Sequence, residues 1–113
     1  MTPQEQICEK MRVEQSAYCL WLTAQPPEEI LHHAYEYSVR EDIILATEEM
    51  NLPLARVRAL LKSPAPLADV YKDFSKLETD YMSIVAQCVE DRADDLLKKE
   101  QQQNPPKVHF AHK

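Results

Sequence analysis

The chain has no glycine in 113 residues and carries eight prolines. Average usage would supply about eight glycines at this length. Their absence removes the Gly-rich loop that lets a backbone approach phosphate, the dinucleotide fingerprint and the strained nucleophile elbow. Type I′ hairpin turns and left-handed helix caps also lose their preferred residue. What is left is a set of helices bounded by prolines, a body better suited to binding than to catalysis.

The prolines fall where helices should begin or end. Thr2-Pro3-Gln4-Glu5 is a capping box with proline at the first helical position, an arrangement that satisfies orphan amides. Ile7, Met11, Tyr18, Trp21 and Leu22 follow at helical spacing, which predicts a helix to about Ala24, ahead of Pro26-Pro27. Pro27 opens a second helix, with Glu28 and Glu29 in the first turn where the dipole favours anions. Its buried side is read as Ile30, Leu31, Ala34 and Tyr35, with Tyr37 as a further candidate. Ser38-Val39-Arg40-Glu41 resembles another capping box, so the pattern predicts a break there and a fresh helix running to Asn51-Leu52-Pro53.

A short helix carrying Leu54, Val57, Leu60 and Leu61 comes next, closed by Ser63-Pro64-Ala65-Pro66. Beyond it Leu67, Phe74, Tyr81 and Cys88 recur every seven residues beside Val70, Leu77 and Ile84. That spacing predicts one long helix from about Pro66 to Glu100, kinked near residues 76–79, and a possible coiled-coil seam. The expected fold is all-α: a compact bundle of about five helices over residues 1–100, with a long C-terminal amphipathic helix and a flexible tail over 101–113.

Charge is unevenly spread. Residues 1–97 hold 18 Asp/Glu against 9 Lys/Arg, whereas residues 98–113 hold one Glu and four Lys. An acidic body repels nucleic acid and competes for basic surfaces on proteins. No apolar run approaches the roughly 18 residues of a membrane span, and the polar start is unlike a signal peptide. Cys8 and Cys19, eleven residues apart on one helix, would lie about 16 Å apart and cannot bond. Free thiols in a reducing cytoplasm are therefore expected, with Cys19 and Cys88 in the core.

The chemistry-bearing constellations are incomplete. Glu29-Ile30-Leu31-His32 has the Glu-x-x-His spacing of a di-iron bundle, which needs a second copy and two further glutamates. His33 and Glu36 form a similar isolated pair. His109 and His112 fall short of a closed zinc site. No cysteine has the adjacent histidine that nucleophilic catalysis requires. No metal, cofactor or enzymatic activity is expected.

Two binding surfaces are legible. The segment from Ile43 through Asn51-Leu52-Pro53 to Leu61 has a helix-turn-helix outline in which Arg56 and Arg58 would face DNA. Glu48 and Glu49, just ahead of the turn, oppose that reading. The alternative is a protein-binding face built from Glu28, Glu29, Tyr35, Glu41, Asp42, Glu48 and Glu49, with Asp91, Asp94 and Asp95 on the last helix. A homodimer through the C-terminal helix is a third expectation.

Pro26-Pro27-Glu28-Glu29-Ile30-Leu31, Ala34-Tyr35-Glu36-Tyr37, Arg40-Glu41-Asp42-Ile43, Ala59-Leu60-Leu61 and Pro66-Leu67-Ala68-Asp69-Val70-Tyr71 together resemble a known group. It comprises small uncharacterised helical domains encoded on plasmids and conjugative elements of gut bacteria. The resemblance covers roughly residues 5–97. Such genes often lie among antirestriction and anti-CRISPR genes. The resemblance thus implies a cytoplasmic inhibitor from a mobile element, acting on a host nucleic-acid defence enzyme such as a Cas9-type CRISPR effector. It assigns no functional residues.

Overall fold

Among the described residues, four of five helices start at or just after a proline. The computed structural model describes residues 1–77 and 80–103. Along them run α1 (Pro3–Thr23), α2 (Pro27–Glu49), α3 (Leu54–Lys62), α4 (Pro66–Leu77) and α5 (Tyr81–Gln103), with no strand among the described residues. The chain is all-α. Thr2 Oγ1 accepts from the Glu5 amide at 3.1 Å, and the Glu5 carboxylate accepts from the Thr2 amide at 2.8 Å. The capping box read from the sequence is thus complete.

Helix ends are closed without left-handed residues, and none of the described residues has positive φ. Ala24 ends α1 in the right-handed region, while Met50 and Ser63 turn extended at the ends of α2 and α3. For α3 the cap comes from elsewhere in the fold. Lys10 Nζ on α1 donates to the Leu61 and Ser63 carbonyls at 2.8 and 2.6 Å, a cation placed where the helix dipole is negative.

Two boundaries differ from the sequence reading. The expected break at Ser38 does not exist, and α2 is continuous from Pro27 to Glu49. Arg40 donates to Glu36 one turn earlier, through Nε at 3.0 Å and Nη2 at 2.8 Å. That pair ties the two sides of the supposed break together, and nothing at Ser38 obliges the backbone to leave the helix. Conversely, the single helix expected from Pro66 to Glu100 is two helices. The Asp80 backbone carbonyl accepts the Ile84 amide at 2.9 Å, the first helical hydrogen bond of α5. Among the described residues there are five helices, as expected, with a different partition.

The chain divides into two units, residues 1–77 and 78 onward. In the first, α1 packs against α2, α3 and α4, and α2 also packs against α4. The core joins Ile7 and Met11 of α1 to Ile44 of α2, Val57 of α3 and Leu67 of α4. Burying each such side chain contributes about 1.5–3 kcal/mol. Glu14 closes this arrangement. Its two carboxylate oxygens accept the Leu67 and Ala68 amides, both at 2.8 Å, at the N-terminus of α4. α1 thus supplies a cation to the end of α3 and an anion to the start of α4, each with the sign the dipole favours.

In the second unit the described structure is α5 and the residue before it, and α5 has no buried residue. Cys88 is exposed, correcting its expected place in a core, whereas Cys19 is half-buried. Residues 101–103 belong to α5. The rest of the expected tail, with His109 and His112, lies outside the described residues.

Candidate functional site

α2 has two sides of different character. Its inward line is Ile30, His33, Tyr37, Arg40, Ile44 and Thr47, spaced alternately by three and four residues and all buried or half-buried. The sequence pattern finds Ile30 and Tyr37 on this line but joins to them Leu31, Ala34 and Tyr35, which are exposed. The cause is that the inward line is half polar. Apolar periodicity cannot find a line that contains His33, Arg40 and Thr47.

A ladder of polar and aromatic contacts ties this side of α2 to α1. The Arg40 guanidinium, its side chain only 9 % exposed, stacks 4.1 Å from the Tyr18 ring centroid and lies 4.0 Å from Glu14. Gln15 Nε2 donates to the Tyr37 carbonyl at 3.1 Å and to Glu41 at 2.9 Å. Gln4 Nε2 donates to the Thr47 carbonyl at 2.7 Å, and Arg12 pairs with Glu48. At the other end Trp21 meets His33 edge-on, with ring centroids 5.3 Å apart. The ladder fixes α2 in rotation as well as in position.

That rotation determines what α2 shows to solvent. Glu28, Tyr35, Asp42 and Glu49 recur every seven residues and are all exposed. Between them sit Leu31, 76 % exposed, and Leu45, 54 % exposed. Seven residues advance a helix by about 10.5 Å with a drift of only ~20°, so these six form one stripe. It holds acids at its two ends and in its second half, with large apolar groups between them.

The sequence-predicted partner residues on α2 differ in their surroundings. Glu28, Tyr35, Asp42 and Glu49 share the stripe. Glu29 faces His33, 3.7 Å away, not His32 as the Glu-x-x-His motif would require. Glu41 and Glu48 are engaged by Gln15 and Arg12. Asp91, Asp94 and Asp95 lie on α5, where Asp91 accepts from Gln87 Nε2 at 2.9 Å. Leu31 and Leu45 were missed as surface residues. Continuity of α2 was the signal that would have revealed them.

Arg56 and Arg58 are both exposed on α3, with buried Val57 between them. Residues two apart lie about 200° apart around a helix, so the two side chains leave α3 in nearly opposite directions. An open groove of about 520 Å³ runs along the α1–α2 seam, lined by Ser16, Cys19, Tyr37 and Glu41 among others. These residues offer hydrogen bonds, but no histidine to activate the hydroxyl or thiol. Burial pushes the Cys8 thiol up, away from thiolate chemistry. Among the described residues no group of three or more His, Cys, Asp and Glu could hold a metal ion, and no helix is long and apolar enough to cross a membrane.

Tyr18 gives the seam a measurable signature. Burial, then the Glu36 carboxylate, push its hydroxyl up to about 12, against the opposing pull of Arg40. A raised value means that the folded state holds the proton after the unfolded chain has released it. This contribution to stability is complete below about pH 10 and is lost as pH rises from 10 towards 12. Tyr18→Phe should abolish that component, so the difference in urea midpoint between wild type and variant should change across pH 10–12. A constant difference would place the hydroxyl in an ordinary aqueous environment.

Residues 4–97 match the family model described as Protein of unknown function (DUF3848). No curated protein and no solved structure matches the chain.

Proposed function

We propose that this chain, which belongs to the DUF3848 family, is a non-enzymatic binding module that presents the outward stripe of α2 to a basic surface on a protein partner. In its finer form the proposal is an inhibitor carried by a bacterial mobile element and acting in the cytoplasm. It occupies the nucleic-acid-binding surface of a host defence enzyme, a Cas9-type CRISPR effector before others.

The observation that carries the reading is the stripe itself. α2 contains seven carboxylates and one arginine, and that arginine is buried against α1. Enzymes that hold nucleic acid do so on Lys/Arg surfaces and channels. A rigid helix with Glu28, Asp42 and Glu49 along one line gives such a surface countercharge. Leu31, Tyr35 and Leu45 in the same line give it apolar contact that phosphate cannot. The DNA-regulator alternative is disfavoured by the divergence of Arg56 and Arg58 around α3.

The test is cleavage of target DNA by a Cas9-type effector with its guide, with and without the protein. Wild type should inhibit near stoichiometry. Glu28→Lys/Asp42→Lys/Glu49→Lys should raise the concentration needed at least tenfold, a change of about 1.4 kcal/mol in binding, without altering the thermal midpoint. Absence of inhibition by wild type overturns the finer proposal. Equal inhibition by the triple variant removes the stripe as the contact. Salt-sensitive duplex binding abolished by Arg56→Ala/Arg58→Ala would establish the regulator instead.

A further inference from the structure

We infer that α5 is an association helix whose occupant is a second copy of this chain, packed antiparallel along the line Met82, Val85, Val89, Arg92 and Leu96. The inference rests on α5 alone and is independent of the function proposed for α2.

The line alternates spacings of three and four residues, the period of a two-helix seam. Its apolar members are exposed: Met82 by 69 %, Val89 by 63 % and Leu96 by 56 %. α5 is 23 residues long and buries none of them. Helices in water gain most of their stability from packing an apolar face, and these exposed side chains are the face α5 has to offer. Glu90, Asp91 and Asp94 lie on the opposite side of the helix, about 100–200° away from Val89, so the line is bordered by a fully solvated back. This seam also replaces the one read from the sequence, since Tyr81, Ile84 and Cys88 lead into Asp91 and Asp95.

A second copy supplies a face that matches this one position by position, and charge selects its direction. A parallel copy would set Arg92 against Arg92 and, one step on, Lys99 against Lys99, with Asp95 flanking Glu100. Each is a like-charge pair. Reversing the second copy removes all three. One register then pairs every position of the seam: Val85 faces Leu96, Val89 faces the aliphatic stem of Arg92, and Met82 faces the stem of Lys99. Ala86 and Ala93 border the seam on one side, small enough for the helices to approach closely. The guanidinium and ammonium groups extend past the seam to water.

The experiment is sedimentation equilibrium of the full chain at about 1–100 µM, the range in which a short two-helix interface populates both species, paired with a distance measurement. Wild type should show a monomer–dimer equilibrium. Val89→Glu/Leu96→Glu should weaken it at least tenfold with the rest of the fold intact, and Arg92→Leu should tighten it at least tenfold. Spin labels at Gln101→Cys, with Cys8, Cys19 and Cys88 changed to serine, should lie about 30 Å apart or more, because the two sites fall at opposite ends of the pair. A wild-type chain that stays monomeric at about 100 µM overturns the inference. So does a dimer indifferent to both seam variants, or a label distance of about 15–20 Å, which indicates parallel helices.

Discussion

Glu14→Ala is expected to lower the unfolding free energy of residues 1–77 by about 3 kcal/mol. Two of α4's first amides, on Leu67 and Ala68, lose their only side-chain acceptor. They are partly buried, so water replaces it incompletely, at about 1 kcal/mol for each amide. The remainder comes from Arg40, which keeps Glu36 but loses the second carboxylate, 4.0 Å away. A buried cation with half its compensation removed is costly. For a unit of this size the midpoint of thermal unfolding should fall by about 12–24 °C. Glu14→Gln preserves one acceptor oxygen and the side-chain shape, so it should lose about half as much. Urea titration followed by Trp21 fluorescence reads both variants. A Glu14→Ala variant within ~0.5 kcal/mol of wild type would show that α4 does not depend on this cap.

The residues behind that expectation mark the limit of what the sequence could reveal. Helix starts were legible because their signals are local: Thr2 and Glu5 lie three residues apart, and Pro27 and Pro66 state their own positions. Lys10 and Glu14 read only as the polar side of a helix. Their roles as caps for α3 and α4 depend on carbonyls and amides more than fifty residues away. The same reason hid Arg40. A buried arginine is indistinguishable in sequence from a surface one until Tyr18, Glu14 and Glu36 surround it. The capping-box spacing of Ser38 and Glu41 makes Ser38 look like a helix start, which in turn hides the outward stripe of α2. Its acids were named individually, yet Glu28, Asp42 and Glu49 become one surface only when α2 is known to be unbroken. The missing glycines were informative throughout. With no left-handed cap to use, α3 is ended by Lys10 from another helix, and the closure belongs to the tertiary structure.

Leu67→Ala should cost about 2–5 kcal/mol, whereas Cys88→Ala should change stability by less than ~0.5 kcal/mol. The two residues lie in the same seven-residue row of the sequence, and a single helix from Pro66 to Glu100 would give them comparable surroundings. Their places on two different helices, α4 and α5, separate their fates. Leu67 is fully buried against Ile7, Met11, Ile44 and Val57, so truncation leaves a cavity bordered by four side chains from three helices, none free to collapse into it. Cys88 stands on the exposed surface of α5, and its replacement removes no core contact. Phe74, between them in the row, is 39 % exposed, and Phe74→Ala should fall in the interval. Urea unfolding monitored at Trp21 orders the three variants, with protein kept near 1 µM so that association through α5 contributes little. A Cys88→Ala cost equal to that of Leu67→Ala would mean that the row acts as one continuous seam, and the separate role of α5 would fail with it.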